Sequence, residues 1–152
     1  MFVFASLLTL ASAQFFSYWH NWASSDGETH LTLCNLTNGW TGAAFGPGQP
    51  PIFVNHISNS SALTAFWTPT QWNPTVKFHA NPVVQWGFWV VGSMKFVATD
   101  GSAAIIDSQN IYLGDDVGSK GHHSENVGIG PALSFMVPYK GKVGNGPCWP
   151  SL

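Results

Sequence analysis

An all-β fold, a barrel or a sandwich of short strands, is what this sequence predicts, and three observations predict it. The apolar residues of the second half fall in short runs separated by turn residues, such as "AAIIDS", "NIYLG" and "ALSFMVPY". Stretches with helical periodicity are interrupted by Gly or Pro, which break helices and mark turns. The composition is turn-rich, aromatic and poor in charge: 16 Gly, 10 Pro, 8 Trp, 11 Phe and 8% charged residues, where an average soluble domain carries about a quarter. The chain of 152 residues suits one domain with its own core.

In chain order, "MFVFASLLTLASA" is an apolar run ending in a small-x-small triplet, Ala11-Ser12-Ala13. It reads as a secretory signal over residues 1–13, too short to cross a bilayer, ahead of a single domain over 14–152. "SSDGETHLTL" is a turn leading into a strand in which Thr29, Leu31 and Leu33 alternate with His30 and Thr32. "GAAFGPGQPPIF" is loop by composition, and "SNSSALTAFW" fits either a short strand or one helical turn. From Val76 the strand runs are "VKFHA", "VVQWGFWVVGSMKFVA", "AAIIDS", "NIYLG" and "ALSFMVPY". Asn81-Pro82 marks a turn, because proline biases the preceding residue away from helix. Asp100-Gly101 sits between two β-favouring runs and is a hairpin signal, since that dipeptide accepts positive φ.

Cys34 and Cys148 are the two cysteines, and a bridge between them would tie the early strands to the Gly/Pro-rich tail; two unpaired thiols are the alternative. Asn35-Leu36-Thr37 and Asn59-Ser60-Ser61 are glycosylation acceptors in a secreted eukaryotic chain. Signal, cysteines and acceptor sites together predict an extracellular protein. A formal net charge of −2 without any Arg leaves no basic footprint for nucleic acid or an anionic membrane surface.

Titratable residues concentrate in one loop, "GDDVGSKGHHSENVG", which holds Asp115, Asp116, Lys120, His122, His123 and Glu125. Carboxylates in such a Gly-rich turn are expected to be solvated or to cap backbone N–H groups, with Lys120 facing solvent. His123 follows His122 directly and points to the opposite face of an extended strand. His79 sits on another strand run, in Lys77-Phe78-His79, with Gln85 downstream and Gly92 beyond it. Imidazole in such places is either a metal ligand or a core residue with one hydrogen bond.

The segments around His79 and His122 resemble the two paired motifs of the cupin superfamily. Lys77-Phe78-His79 takes the His-x-His place, Gln85 the Glu place, and Gly92 follows at the family's interval. Gly118, Gly121, His122 and Asn126 match the second motif, and the Asp100-Gly101 hairpin lies between the two. The likeness covers roughly residues 72–139. It implies a cupin-like antiparallel β-barrel, a double-stranded β-helix or jelly roll, whose interior holds one small molecule. It also implies a divalent transition metal, Mn, Fe, Ni or Zn, on His79, His122 and Gln85. Lys77 and Gln85 depart from the motif: a protonated Lys cannot donate a lone pair, and an amide brings no negative charge. His56 is an upstream candidate that nothing in the sequence places.

Trp89, Phe96 and Trp67 are the expected pocket residues, with Trp86, Phe88 and Phe78 lining or supporting it. Two functions follow. One is a metal-dependent enzyme of oxygenase, decarboxylase, isomerase or cyclase type, with a metal-free variant in which His122 is the base and a desolvated Lys77 its partner. The other is a non-catalytic secreted binding or structural protein with a decayed metal site. Expected partners are a small-molecule ligand or substrate, with room for a homodimer, and neither nucleic acid nor membrane. A Trp-rich, lectin-like sandwich also fits the composition but leaves the motif pairing as coincidence.

Overall fold

The computed structural model of the chain describes residues 16–36, 41–43, 52–54, 63–73, 78–140 and 148. The expected signal segment, His56, Asn59 and Lys77 lie outside the described residues.

All regular elements among the described residues are strands: β1 Phe16–Ala23, β2 Thr29–Leu36, β3 Thr41–Ala43, β4 Ile52–Val54, β5 Thr64–Thr68, β6 Gln85–Val91, β7 Met94–Ala98, β8 Ala103–Ile106, β9 Ile111–Asp115, β10 His122–Asn126 and β11 Ala132–Pro138. Six form one sheet in the order β2-β1-β9-β6-β11-β5, three form a second in the order β10-β7-β8, and β3 pairs with β4. The segment around Thr64 that fitted strand or helical turn is strand, and part of "GAAFGPGQPPIF" is the β3–β4 pair.

Two features depart from the expected antiparallel barrel. The β1–β9 pairing is parallel, with Tyr18 opposite Ile111 and Trp22 opposite Asp115. Among the described residues the ladder also does not close into a ring; nine of the strands form two sheets, consistent with a β-sandwich. Side-chain hydroxyls explain the open edge at β2. The Thr29 and Leu31 amides donate to Thr99 Oγ1 at 2.7 Å and Ser102 Oγ at 2.8 Å, so donors that a neighbouring strand would take are satisfied without one.

Strand alternation sets the core. On β7, Met94, Phe96 and Ala98 are buried while Lys95 and Val97 are less so, and the buried set packs with Ala104 and Ile106 from β8. The same cluster contains Leu31, Trp89, Tyr112, Ala132 and Met136 from the large sheet, so apolar faces of both sheets meet there. The opposite face of the large sheet buries Tyr18, Cys34, Trp86 and Leu113. Neighbours in sequence thus go to opposite sides: Tyr112 to the inter-sheet core, Leu113 to the outer cluster. A disulfide joins Cys34 to Cys148 at that outer cluster.

The turns that deliver the site are specific. At the β7–β8 hairpin Gly101 has φ +86°, and Asp100 Oδ1 accepts from the Ser102 amide at 2.7 Å. In the loop before β10, the Asp116 carbonyl accepts from Ser119 N at 3.1 Å and from Ser119 Oγ at 2.6 Å. Ser119 Oγ in turn accepts from Gly121 N at 2.9 Å. Lys120 is exposed and ion-paired with Glu28. Thr29 Oγ1 donates to the Gly121 carbonyl at 2.7 Å, fixing the chain where His122 begins.

Candidate functional site

His79 and His122 meet. Their backbones form an isolated antiparallel bridge, each amide donating to the other's carbonyl at 3.0 Å, and their rings lie 4.7 Å apart, centroid to centroid, tilted by 52°. Gly121 permits the approach: it adopts φ +85°, and a Cβ there would stand 2.3 Å from the His79 carbonyl carbon. His122 is buried and His79 exposed, so the pair runs from the interior to the surface.

Both histidines line a cavity of about 410 Å3, with Gln85, Trp67, Trp89 and Phe96 on its walls together with Trp72, Tyr112, Ser124 and Met136. The aromatic wall is packed edge and face: Phe96 stacks on Tyr112 at 4.6 Å and meets Trp89 edge-on at 5.6 Å. Trp67, 67% exposed on the edge strand β5, stands at the rim. Trp86 and Phe88 belong to the outer cluster instead. Phe78 is largely exposed beside His123, ring centroids 6.5 Å apart.

Behind His122 lies a buried polar network around Asp116, a carboxylate expected to be solvated or to cap backbone N–H groups, which caps the Asn81 amide and is buried. Asp116 is 0% exposed, and its Oδ2 is 2.7 Å from His122 Nδ1. Its Oδ1 accepts from Asn81, from the amide at 3.1 Å and from Nδ2. Asn81 Nδ2 also donates to the Tyr112 hydroxyl at 3.2 Å, and Asn21 Nδ2 lies 3.0 Å from that hydroxyl and 2.9 Å from His122 Nδ1. Burial opposes ionisation of Asp116, but His122 and the Asn81 donors outweigh it and hold the carboxyl below its ordinary value. An ionised carboxylate only accepts, so the contact with Asp116 places an N–H at Nδ1 of His122. No hydrogen bond reaches Nε2 of His122 among the described residues, and the residue lines the cavity.

Burial, then the neighbouring His122, lowers the pKa of His79, which favours a neutral ring. The Tyr112 hydroxyl is raised, first by burial and then by the Asp116 charge, so it stays protonated. Asp115, next in sequence to Asp116, turns the other way to His20, Oδ2 to Nε2 3.3 Å. Glu125 pairs with Lys95 at 3.3 Å.

As a metal set, His79 and His122 offer two ring nitrogens and Gln85 a neutral carbonyl oxygen, its Nε2 donating to Asn81 Oδ1 at 2.8 Å. Asp116 spends both oxygens on His122 and Asn81. Among the described residues no three His, Cys, Asp or Glu side chains gather as donors for one ion. Two imidazoles and an amide are a weaker set than three His and a carboxylate.

The sequence matches no protein-family model and no curated protein. The fold and site therefore define the molecule by class alone: an all-β protein with an aromatic cavity and a buried carboxylate behind one of its histidines.

Proposed function

We propose that the protein is a secreted, cupin-like binding protein whose inter-sheet cavity takes one small, ring-bearing organic molecule. A single observation carries this: the about 410 Å3 cavity walled by Trp, Phe and Met with two imidazoles converging on it. Ligand sites of this size combine apolar walls with a few placed polar groups, which fix orientation. The motif spacing that pairs His79, Gln85 and Gly92 with His122 and Asn126 supports the cupin relationship. The disulfide and the leading apolar segment support secretion. No helix among the described residues is long and apolar enough to cross a membrane.

Eight tryptophans, with Trp67, Trp72 and Trp89 on the cavity wall, make intrinsic fluorescence the direct assay. Titration with a panel of fused-ring ketones, phenols and monosaccharides should give saturable quenching for at least one class. At about a hundred times its Kd, that ligand should add about 2.7 kcal/mol to stability. Trp89→Ala should remove the response. A panel that produces neither quenching nor stabilisation sinks the binding reading.

The nearness of the two imidazole rings favours a second arrangement, a divalent ion held by His79, His122 and Gln85 that acts as Lewis acid. Elemental analysis of dialysed protein separates the two. A full equivalent of Mn, Fe, Ni or Zn with destabilisation by chelator supports the ion; less than about a tenth of an equivalent, with unchanged melting, supports the metal-free cavity.

A further inference from the structure

The cavity is walled by aromatic residues, but polar side chains on those walls have hydrogen-bonding capacity to spare. Ser134 lies on β11 opposite Trp89 on one side and Phe66 on the other, and Ser124 lies on β10 opposite Phe96. Residues directly opposite one another share a face of the sheet. Trp89, Phe66 and Phe96 all line the cavity, so both serines point into it. They are 4% and 5% exposed, and among the described residues no hydrogen bond engages either hydroxyl. β11 belongs to the six-stranded sheet and β10 to the three-stranded one, which puts the two hydroxyls on facing walls. Gln85, also on the wall, donates from Nε2 to Asn81 Oδ1 at 2.8 Å, and its amide oxygen is left to accept. No Asp, Glu, Lys or Arg side chain lines the cavity among the described residues.

These facts narrow the ligand. A charged molecule would be stripped of water against a wall with no carboxylate, ammonium or guanidinium to pair with it. A ketone or a simple phenol carries its polar atom at one end and reaches one wall only. A ring with hydroxyls round its rim and C–H groups on its two faces meets Ser124, Ser134 and Gln85 together and lays those faces against the aromatic side chains. Serine hydroxyls both donate and accept, and the Gln85 oxygen calls for a donor, so hydroxyl groups on the ligand suit all three. We infer that the ligand is an uncharged sugar, one hexopyranose ring held between the hydroxyls of Ser124 and Ser134, free or at the end of a glycan. The inference rests on the binding reading above and chooses within it.

The test is tryptophan fluorescence titration with D-glucose, D-galactose and D-mannose, beside D-glucuronate and D-galacturonate as charged counterparts and 2-tetralone and 2-naphthol as rings with one polar atom. At least one neutral hexose should quench saturably, and its uronate should bind at least about tenfold more weakly. Cellobiose and lactose tell the two sources apart: a disaccharide that binds as well as its monosaccharide assigns the end of a glycan, and one that binds more weakly assigns the free sugar. Ser124→Ala and Ser134→Ala should each weaken hexose binding about five- to tenfold, the worth of one neutral hydrogen bond. The melting temperature of the unliganded variants should be unchanged or raised, because each substitution removes a hydroxyl that no described group pairs, whereas serines kept for the fold alone would lower it and leave affinity as it was. Quenching by the ketone or the naphthol without any hexose overturns the inference and leaves the binding reading standing. Uronates that bind as tightly as hexoses overturn the uncharged class, and serine variants that bind as the native protein does overturn the assigned contacts. Hexose binding abolished by EDTA would move the contact to an ion and overturn it as well. Silence from every compound sinks the inference together with the binding reading.

Discussion

Gly121 and Gly101 share a backbone conformation and differ in surroundings, which separates two costs that positive φ usually mixes. Gly101, at φ +86°, has nothing within 4 Å of a built Cβ. Gly101→Ala should therefore cost only the left-handed penalty, about 1 kcal/mol. At Gly121 a Cβ would meet His79 backbone at 2.3 Å and 2.5 Å. Gly121→Ala should cost about 3 kcal/mol or more and separate the two imidazoles, since the neighbour is main chain and cannot swing aside. Urea unfolding of both variants measures the difference; equal midpoints would show that the His79–His122 bridge adds nothing. Asp116 makes a second residue-scale prediction. Its folded pKa is depressed, so near pH 4 the unfolded chain binds more protons than the folded one. Its stabilisation is complete above the ordinary carboxylate value of about 4 and is lost as pH falls through it toward the folded value. Urea midpoints from about pH 6 down to about pH 3 should drop more steeply for the native protein than for Asp116→Asn.

β7 shows what a strand's alternation decides. Phe96, 5% exposed, joins Trp89 and Tyr112 in the inter-sheet core, whereas Ile105 on the neighbouring β8 is 55% exposed. Phe96→Ala should destabilise by about 3–5 kcal/mol and Ile105→Ala by less than about 0.5 kcal/mol, a contrast that thermal unfolding resolves. The strands β6 to β9 and β11 were legible because β-branched and aromatic runs there are cut by unambiguous turn residues, Asp100-Gly101 above all, whereas β10 has no such run and only the motif resemblance pointed to it. Less was legible upstream. Thr29, Leu31 and Leu33 alternate in sequence, yet Thr29 and Leu31 are buried and Leu33 is exposed, with Cys34 taking the next buried place. The disulfide draws Cys34 into the outer cluster, and alternation alone does not contain that constraint. β1 carries no strong pattern because its burial is shared between apolar Tyr18 and polar His20 and Asn21, whose partners are distant in sequence. The burial of Asp116 was hidden for the same reason. A carboxylate in a Gly-rich turn reads as solvated or as a cap for backbone N–H groups; it does cap the Asn81 amide, but Ser119 and Gly121 bend the loop and bring it under His122.

At the scale of the molecule, the two faces of the large sheet divide the disulfide from the cavity. The outer face holds Tyr18, Cys34, Trp86 and Leu113 and receives the bridge to Cys148, which spans 114 residues of sequence. The inner face holds Trp89 and Tyr112, which form the cavity wall with Phe96 of the facing sheet. Closing so long a loop restricts the unfolded chain by up to about 4–5 kcal/mol on chain-entropy grounds, and native disulfides in small secreted domains are worth about 2–5 kcal/mol. Cys34→Ser with Cys148→Ser should therefore lower the unfolding free energy by about that amount. Ligand affinity should stay unchanged at temperatures where the variant is still folded, because the sulfurs sit on the side of the sheet that the cavity does not share. Thermal melting and fluorescence titration of the double variant, run together, check both halves. A fall in affinity parallel to the fall in stability would mean that the bridge shapes the cavity through the sheet, and the two faces would then be one cooperative unit.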